Sequence, residues 1–151
     1  MKDLLIEKLY EITKKPYQKW FKKGVAWETS IQDLIAMQPN SLGFHLGCFL
    51  IKYNFEMQPK LEDHDVFHVL TNTGITVQEE IAMQYFLLGN GKRSAYLFSV
   101  IAIGTCFYPT YFKKFKTNYY RGKKSHRIYD LEFQKMLLQP LQLMQHTFNI
   151  K

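Results

Sequence analysis

The spacing of the apolar residues restricts this fold most. They recur at helical intervals between Pro and Gly breaks, and nowhere alternate in the period-two pattern of a strand. Leu4, Leu5 and Ile12 mark a helix from about Lys2 to Lys15 that stops near Pro16. Thr29 or Ser30 can cap a helix carrying Ile31, Leu34 and Ile35, with Asp33 in its first turn. After a break at Pro39-Asn40, Ser41 opens a helix through Leu42, Leu46, Phe49 and Leu50, on which Gly43 and Gly47 permit close packing. Phe55 to Pro59 reads as a loop. A helix from Lys60 to Leu70 ends at Thr71-Asn72-Thr73-Gly74, and another from Thr76 or Val77 to Leu88 closes at Gly89-Asn90-Gly91. Arg93 to Phe107 is apolar and reads as a buried helix, since the run is long for a strand. Beyond Pro109, Tyr111 to Tyr119 reads as helix and Tyr120 to Lys124 as a turn or helix junction. Ile128 to Thr147 keeps helical spacing, with Pro140 as a kink or break. The expectation is one all-α domain over residues 1–151, of about six to eight helices, with N-terminal helices in residues 1–38.

Composition narrows the class. A chain of 151 residues can bury a real core, and 46% hydrophobic content excludes disorder as its main state. Aromatic residues make up 16%, enough that either the core is large or some rings face a ligand or lipid. Cys48 and Cys106 stand far apart in apolar surroundings and read as two buried thiols in a reducing compartment. The start turns acidic before any secretory h-region forms, and no Arg-rich transit peptide is visible. The longest apolar stretch, Tyr96 to Tyr108, is short of the roughly 18 residues a membrane span needs. The protein is therefore expected to be soluble or bound to one face of a membrane.

The net charge of +7 is unevenly distributed. No acidic residue lies between Glu80 and Asp130, a stretch holding Lys92, Arg93, Lys113, Lys114, Lys116, Arg121, Lys123, Lys124 and Arg127 among Tyr and Phe. Such a run is either a solvated face or a surface for something anionic. Lysines among aromatic rings suit a lipid interface and also suit stacking on single-stranded bases. The basic and aromatic segment Tyr17 to Gly24 admits two similar readings, a capped helix end and a membrane-surface contact.

One cluster carries chemistry: His64-Asp65-Val66-Phe67-His68, followed by Glu80. On a helix, His64 and His68 are one turn apart and project from one face, with Asp65 at its border. Glu80 comes from the next helix. Two imidazoles with one or two carboxylates suit a divalent metal, although two helix histidines also occur without one. Three metal chemistries can be compared. Zinc proteases need Glu at the place of Asp65. HD-type phosphohydrolases need further His and Asp ligands; His45 lies upstream, but no later Asp precedes Asp130. Ferritin-like di-iron sites need two E-x-x-H halves, and only one can be argued here.

The string His64-Asp65-x-x-His68-x11-Glu80 resembles the signature of the coenzyme Q (ubiquinone) biosynthesis protein 4 family. Leu42-Gly43-Phe44 after Pro39, His68-Val69-Leu70, Glu80-Ile81-Ala82 with Phe86, Tyr120-Arg121-Gly122-Lys123-Lys124, Pro140-Leu141 and Asn149-Ile150 are similar to further segments of that family, so the match covers residues 39–151. Phe67 stands where the family often has Trp, and Glu79 where it often has Gly. The resemblance implies an all-helical protein, peripheral to the inner face of a membrane, that holds a prenyl tail in an apolar channel. It implies a divalent metal, taken as zinc, on His64, Asp65, His68 and Glu80. It also implies removal of the ring carboxylate, with oxidation at that carbon, from a prenylated benzoate precursor of ubiquinone. Association with other ubiquinone-biosynthesis proteins follows from the same resemblance, and a homodimer is a further expectation. Asp65 or Glu79 could act as acid/base if outside the metal's shell. Lys113, Lys116, Arg121, Lys123 and Lys124 would meet anionic lipid. The alternative is a non-catalytic scaffold for prenyl lipid; a nucleic-acid partner ranks last, because anionic lipid accounts for the same basic stretch.

Overall fold

The computed structural model describes residues 27–57 and 62–151. The expected helix over Lys2–Lys15 and the segment Tyr17–Gly24 lie outside them. The described residues form seven α-helices and no strand: α1 Ile31–Ile35, α2 Leu42–Lys52, α3 Glu62–Thr71, α4 Val77–Asn90, α5 Ala95–Phe107, α6 Phe112–Lys124 and α7 Leu141–Thr147. Two 3-10 turns, Pro109–Tyr111 and Phe133–Met136, complete them. The chain divides into two compact units, one holding α1, α2, α3 and α7, the other residues 74–129 with α4, α5 and α6.

In the first unit, Ser30 caps α1 through a reciprocal box: its hydroxyl accepts from Asp33 N–H at 3.1 Å, and the Asp33 carboxylate accepts from Ser30 N–H at 2.8 Å. Helix α1 packs on α2 where Gly47 leaves room for Leu34 and Ile35. Ser41 caps α2 by accepting from Phe44 N–H. The next two N–H groups, of Leu42 and Gly43, donate to the carbonyls of Gln139 and Leu137 at 2.8 Å each. Leu141 N–H returns a bond to Asn40 O. This pairing explains why 128–147 is not the long helix its spacing suggests. Carbonyls that serve the start of α2 cannot also point along their own helix. The segment runs through one 3-10 turn, and α7 begins only after Pro140. Phe133 is buried edge-on against Phe67 of α3 at 5.4 Å, and Gln145 on α7 donates to Leu70 O.

In the second unit, α4 is buried nearly all round, with Ile81, Ala82, Met83, Phe86 and Leu87 at 2% exposure or less. Helix α6 crosses it at backbone contact. A Cβ on Gly89 would strike the Tyr119 carbonyl, and one on Gly122 would strike the Phe86 carbonyl. Helix α6 runs on to Lys124, so the expected turn at Tyr120–Lys124 is its last turn; Gly122 is there for the crossing, not for a break. Helix α5 departs from expectation as well. Only Leu97 and Gly104 are fully buried, while Ala95, Phe98, Ser99, Ala102, Ile103 and Cys106 form an exposed stripe. A one-sided contact suffices, because Gly104 lets Ile81 of α4 approach directly. Cys106 on that stripe and Cys48 are both exposed, contrary to the two buried thiols expected. Each falls on the helix face opposite its packed residues, Leu97 and Gly104 on α5 and Leu42, Leu46 and Leu50 on α2.

Candidate metal centre

Helix α3 brings His64 and His68 together as their one-turn spacing requires. Their Nε2 atoms lie 3.2 Å apart and their rings meet at 76°. His68 is 3% exposed and stacks on Phe49 of α2 at 5.4 Å. Its other nitrogen, Nδ1, stands 3.1 Å from the Thr73 carbonyl. Only an N–H can pair with a carbonyl, so the neutral ring carries its proton on Nδ1 and turns the Nε2 lone pair toward His64.

The sequence after His68 builds that carbonyl. Asn72 takes a left-handed φ of 51° and ends α3. Thr73 N–H then donates to His68 O, and the Thr71 and Thr73 hydroxyls share a bond at 2.6 Å. A carbonyl behind an imidazole is the usual support of a metal-binding histidine. Reading the sequence treated Thr71-Asn72-Thr73-Gly74 as punctuation and missed this role. A left-handed Asn one turn past a candidate ligand is the signal that could have shown it.

Glu79 and Glu80 open α4. Thr76 caps the helix, and its hydroxyl both accepts from Glu79 N–H and donates to Glu79 Oε2 at 3.0 Å. Glu79 Oε1 also lies 3.7 Å from Lys114 Nζ, so this carboxylate is committed to the cap and to α6. Glu80 N–H joins the first turn by donating to Thr76 O, and its side chain is half-buried.

His64, His68 and Glu80 could hold a metal ion. Asp65, half-buried on α3, is not among the three. The donor set fits a borderline cation such as zinc: two imidazoles and one carboxylate. The spacing fits too, since two nitrogens about 2.0–2.1 Å from a tetrahedral ion stand about 3.3 Å apart.

The anion-binding candidates separate. Lys113, Lys116, Lys123 and Lys124 share the exposed face of α6, opposite buried Phe115, Asn118 and Gly122. Arg121 flanks that face and turns inward. It donates to Asn118 Oδ1 at 2.7 Å and lies over the Phe86 ring, and burial lowers its pKa from the ordinary value. Among the described residues no single helix is long and apolar enough to cross a membrane; α5 and the segment Pro109–Lys124 bend by 106° at their junction.

Comparisons with known proteins identify the family and the fold. No curated protein matches the chain. A crystal structure of a Nostoc punctiforme protein, itself only provisionally assigned to ubiquinone biosynthesis, is similar in fold with a TM-score of 0.70 and 15% identity, covering 98% of this chain and 80% of that one. The family model for coenzyme Q (ubiquinone) biosynthesis protein Coq4 matches residues 51–151, which takes in all four motif positions and leaves Pro39–Phe44 outside. The chain thus belongs to the Coq4 family, a membership that points to ubiquinone biosynthesis.

Proposed function

We propose that this protein removes the ring carboxylate of a prenylated hydroxybenzoate at a membrane surface, using a divalent cation, zinc by its donor set, held by His64, His68 and Glu80. Asp65 is the motif's fourth candidate, as ligand or as acid/base. The observation that carries the reading is the 3.2 Å approach of two Nε2 atoms, one of them fixed in tautomer by the Thr73 carbonyl. That support holds a lone pair in place before any ligand arrives, which is the pre-organisation a metal site needs. When bound, the cation supplies Lewis acidity to a carboxylate or phenol oxygen. The chain's part is to fix the two imidazoles and to accept or return a proton at Asp65. The carboxylate leaves as carbon dioxide, and the hydroxyl that replaces it requires an external two-electron oxidant of the dioxygen class.

The membrane part rests on the second unit. The exposed stripe of α5 contains no charged residue, with Phe98 and Ile103 at 48% and 44% exposure. Lysines follow it on α6. An apolar strip followed along the chain by a basic face suits the boundary of an anionic bilayer, and an apolar channel would take the prenyl tail.

Metal analysis of protein purified without added metal tests the centre. About one equivalent is expected, falling well below half in His64→Ala; a content near zero in both overturns the reading. Loss of carboxylate from 3-geranyl-4-hydroxybenzoate tests the chemistry. One observation favours a non-catalytic scaffold that keeps prenyl lipid for other ubiquinone-biosynthesis proteins: Glu79, a candidate acid/base, is occupied by Thr76 and Lys114. Isoprenoid recovered by organic extraction, without turnover, would decide for the scaffold.

A further inference from the structure

Gln84 stands out in the run Ile81 to Leu88, whose other members are apolar or aromatic. It is 3% exposed, and its Oε1 has no hydrogen-bond partner among the described residues. A buried acceptor left unpaired opposes folding, and Leu or Met at this position would avoid that cost. The residue lies one turn after Glu80 on α4, on the same face, beside fully buried Met83 and Leu87 and away from the Gly89 face that meets α6. Its amide is therefore one helical turn deeper along α4 than the candidate ligand.

From this geometry we infer that Gln84 is a substrate-positioning residue, whose amide pairs with the phenolic hydroxyl of a prenylated hydroxybenzoate. The inference rests on the functional reading above and adds a residue outside its motif. The chemistry selects the group. An ionised ring carboxylate only accepts, so it cannot satisfy Oε1. A phenol donates to Oε1 and can also accept from Nε2, so it suits the amide in either orientation. A site built around a hydroxyl discriminates against an analogue lacking it, because the buried amide is then left unpaired.

The test compares wild type with Gln84→Leu in the full chain loaded with zinc. Binding of 3-geranyl-4-hydroxybenzoate and of its 4-methoxy counterpart is measured by calorimetry, and melting is measured without either compound. Wild type should prefer the phenol by about three- to tenfold. The variant should lose that preference and melt no lower than wild type, since it sheds an unpaired acceptor. A variant that keeps the preference overturns the inference. So does one that melts lower with its preference intact, which would make Gln84 a structural residue satisfied by water. If Gln84→Leu does not fold, Gln84→Met, closer in shape, replaces it with the same expectations. A wild type that binds neither compound overturns the functional reading and this inference with it; a preference surviving in the variant overturns this inference alone.

Discussion

His68 shows how much of a site can sit in one side chain. Its ring is buried, stacked on Phe49, tied through Nδ1 to Thr73 and aimed through Nε2 at His64. The two histidines should therefore respond differently to truncation. Both His64→Ala and His68→Ala lose the cation, read as metal content, but His68→Ala also leaves a cavity against Phe49 and should lower stability by about 2–3 kcal/mol in denaturant unfolding. His64, only half-buried, should cost well under half of that. The motif spacing made both residues legible; their unequal support was not, because it depends on a carbonyl five residues away. Asn90 is a second case. Read as part of a Gly-Asn-Gly stop, it is a buried clamp. Its Nδ2 donates to the Gly122 and His126 carbonyls, and its Oδ1 accepts from Ile128 and Tyr129 N–H. Asn90→Ala strips four bonds from backbone groups, two of them fully buried contacts, and should cost about 3 kcal/mol in denaturant unfolding. Nothing local marks such a residue, since its partners lie more than 30 positions away.

At the scale of elements, helix existence was legible and helix environment was not. The caps at Ser30, Ser41 and Thr76 are local devices, and each stands where the sequence placed a helix start. The Asp33 side of the first cap has a pH signature. Hydrogen bonds from the Ser30 hydroxyl and backbone N–H hold the Asp33 carboxyl below its ordinary 3.8. A carboxyl lowered in the folded state adds stability above its unfolded value and loses it as pH falls through the folded one. Asp33→Asn should accordingly flatten the decline in melting temperature below about pH 4, seen by comparing both proteins across that range. The α4–α6 crossing gives a sharper test. Gly122→Ala places a methyl against the Phe86 carbonyl and should destabilise by about 3 kcal/mol. The glycines singled out by spacing, Gly43 and Gly47, do pack closely, yet the tightest backbone contacts are those of Gly89 with Tyr119 and of Gly122 with Phe86, which no pattern within one helix pairs.

For the whole molecule, charge and metal set the expected behaviour. Residues 74–129 hold nine Lys and Arg against two acids, Glu79 and Glu80. Binding to vesicles containing about 30% phosphatidylserine should therefore weaken steeply between about 50 and 300 mM salt. Lys113→Glu with Lys116→Glu should remove most of that salt dependence, whereas Phe98→Asp should weaken binding at every salt. Salt-independent binding by the parent protein would count against the basic face. Zinc at about 100-fold its Kd should stabilise the fold by about 2.7 kcal/mol, and chelation should reverse the gain, read as melting temperature.

The sequence by itself determined the all-helical class, most helix starts and the pairing of His64 with His68, because caps, periodicity and one-turn spacing act within a few residues of chain. Tertiary structure decided what faces outward. It left α5 half-exposed, turned Arg121 over the Phe86 ring, and broke 128–147 to serve the start of α2. Those outcomes depend on which backbone groups find partners and which surfaces find cover, and such pairings span chain separations that no local pattern records.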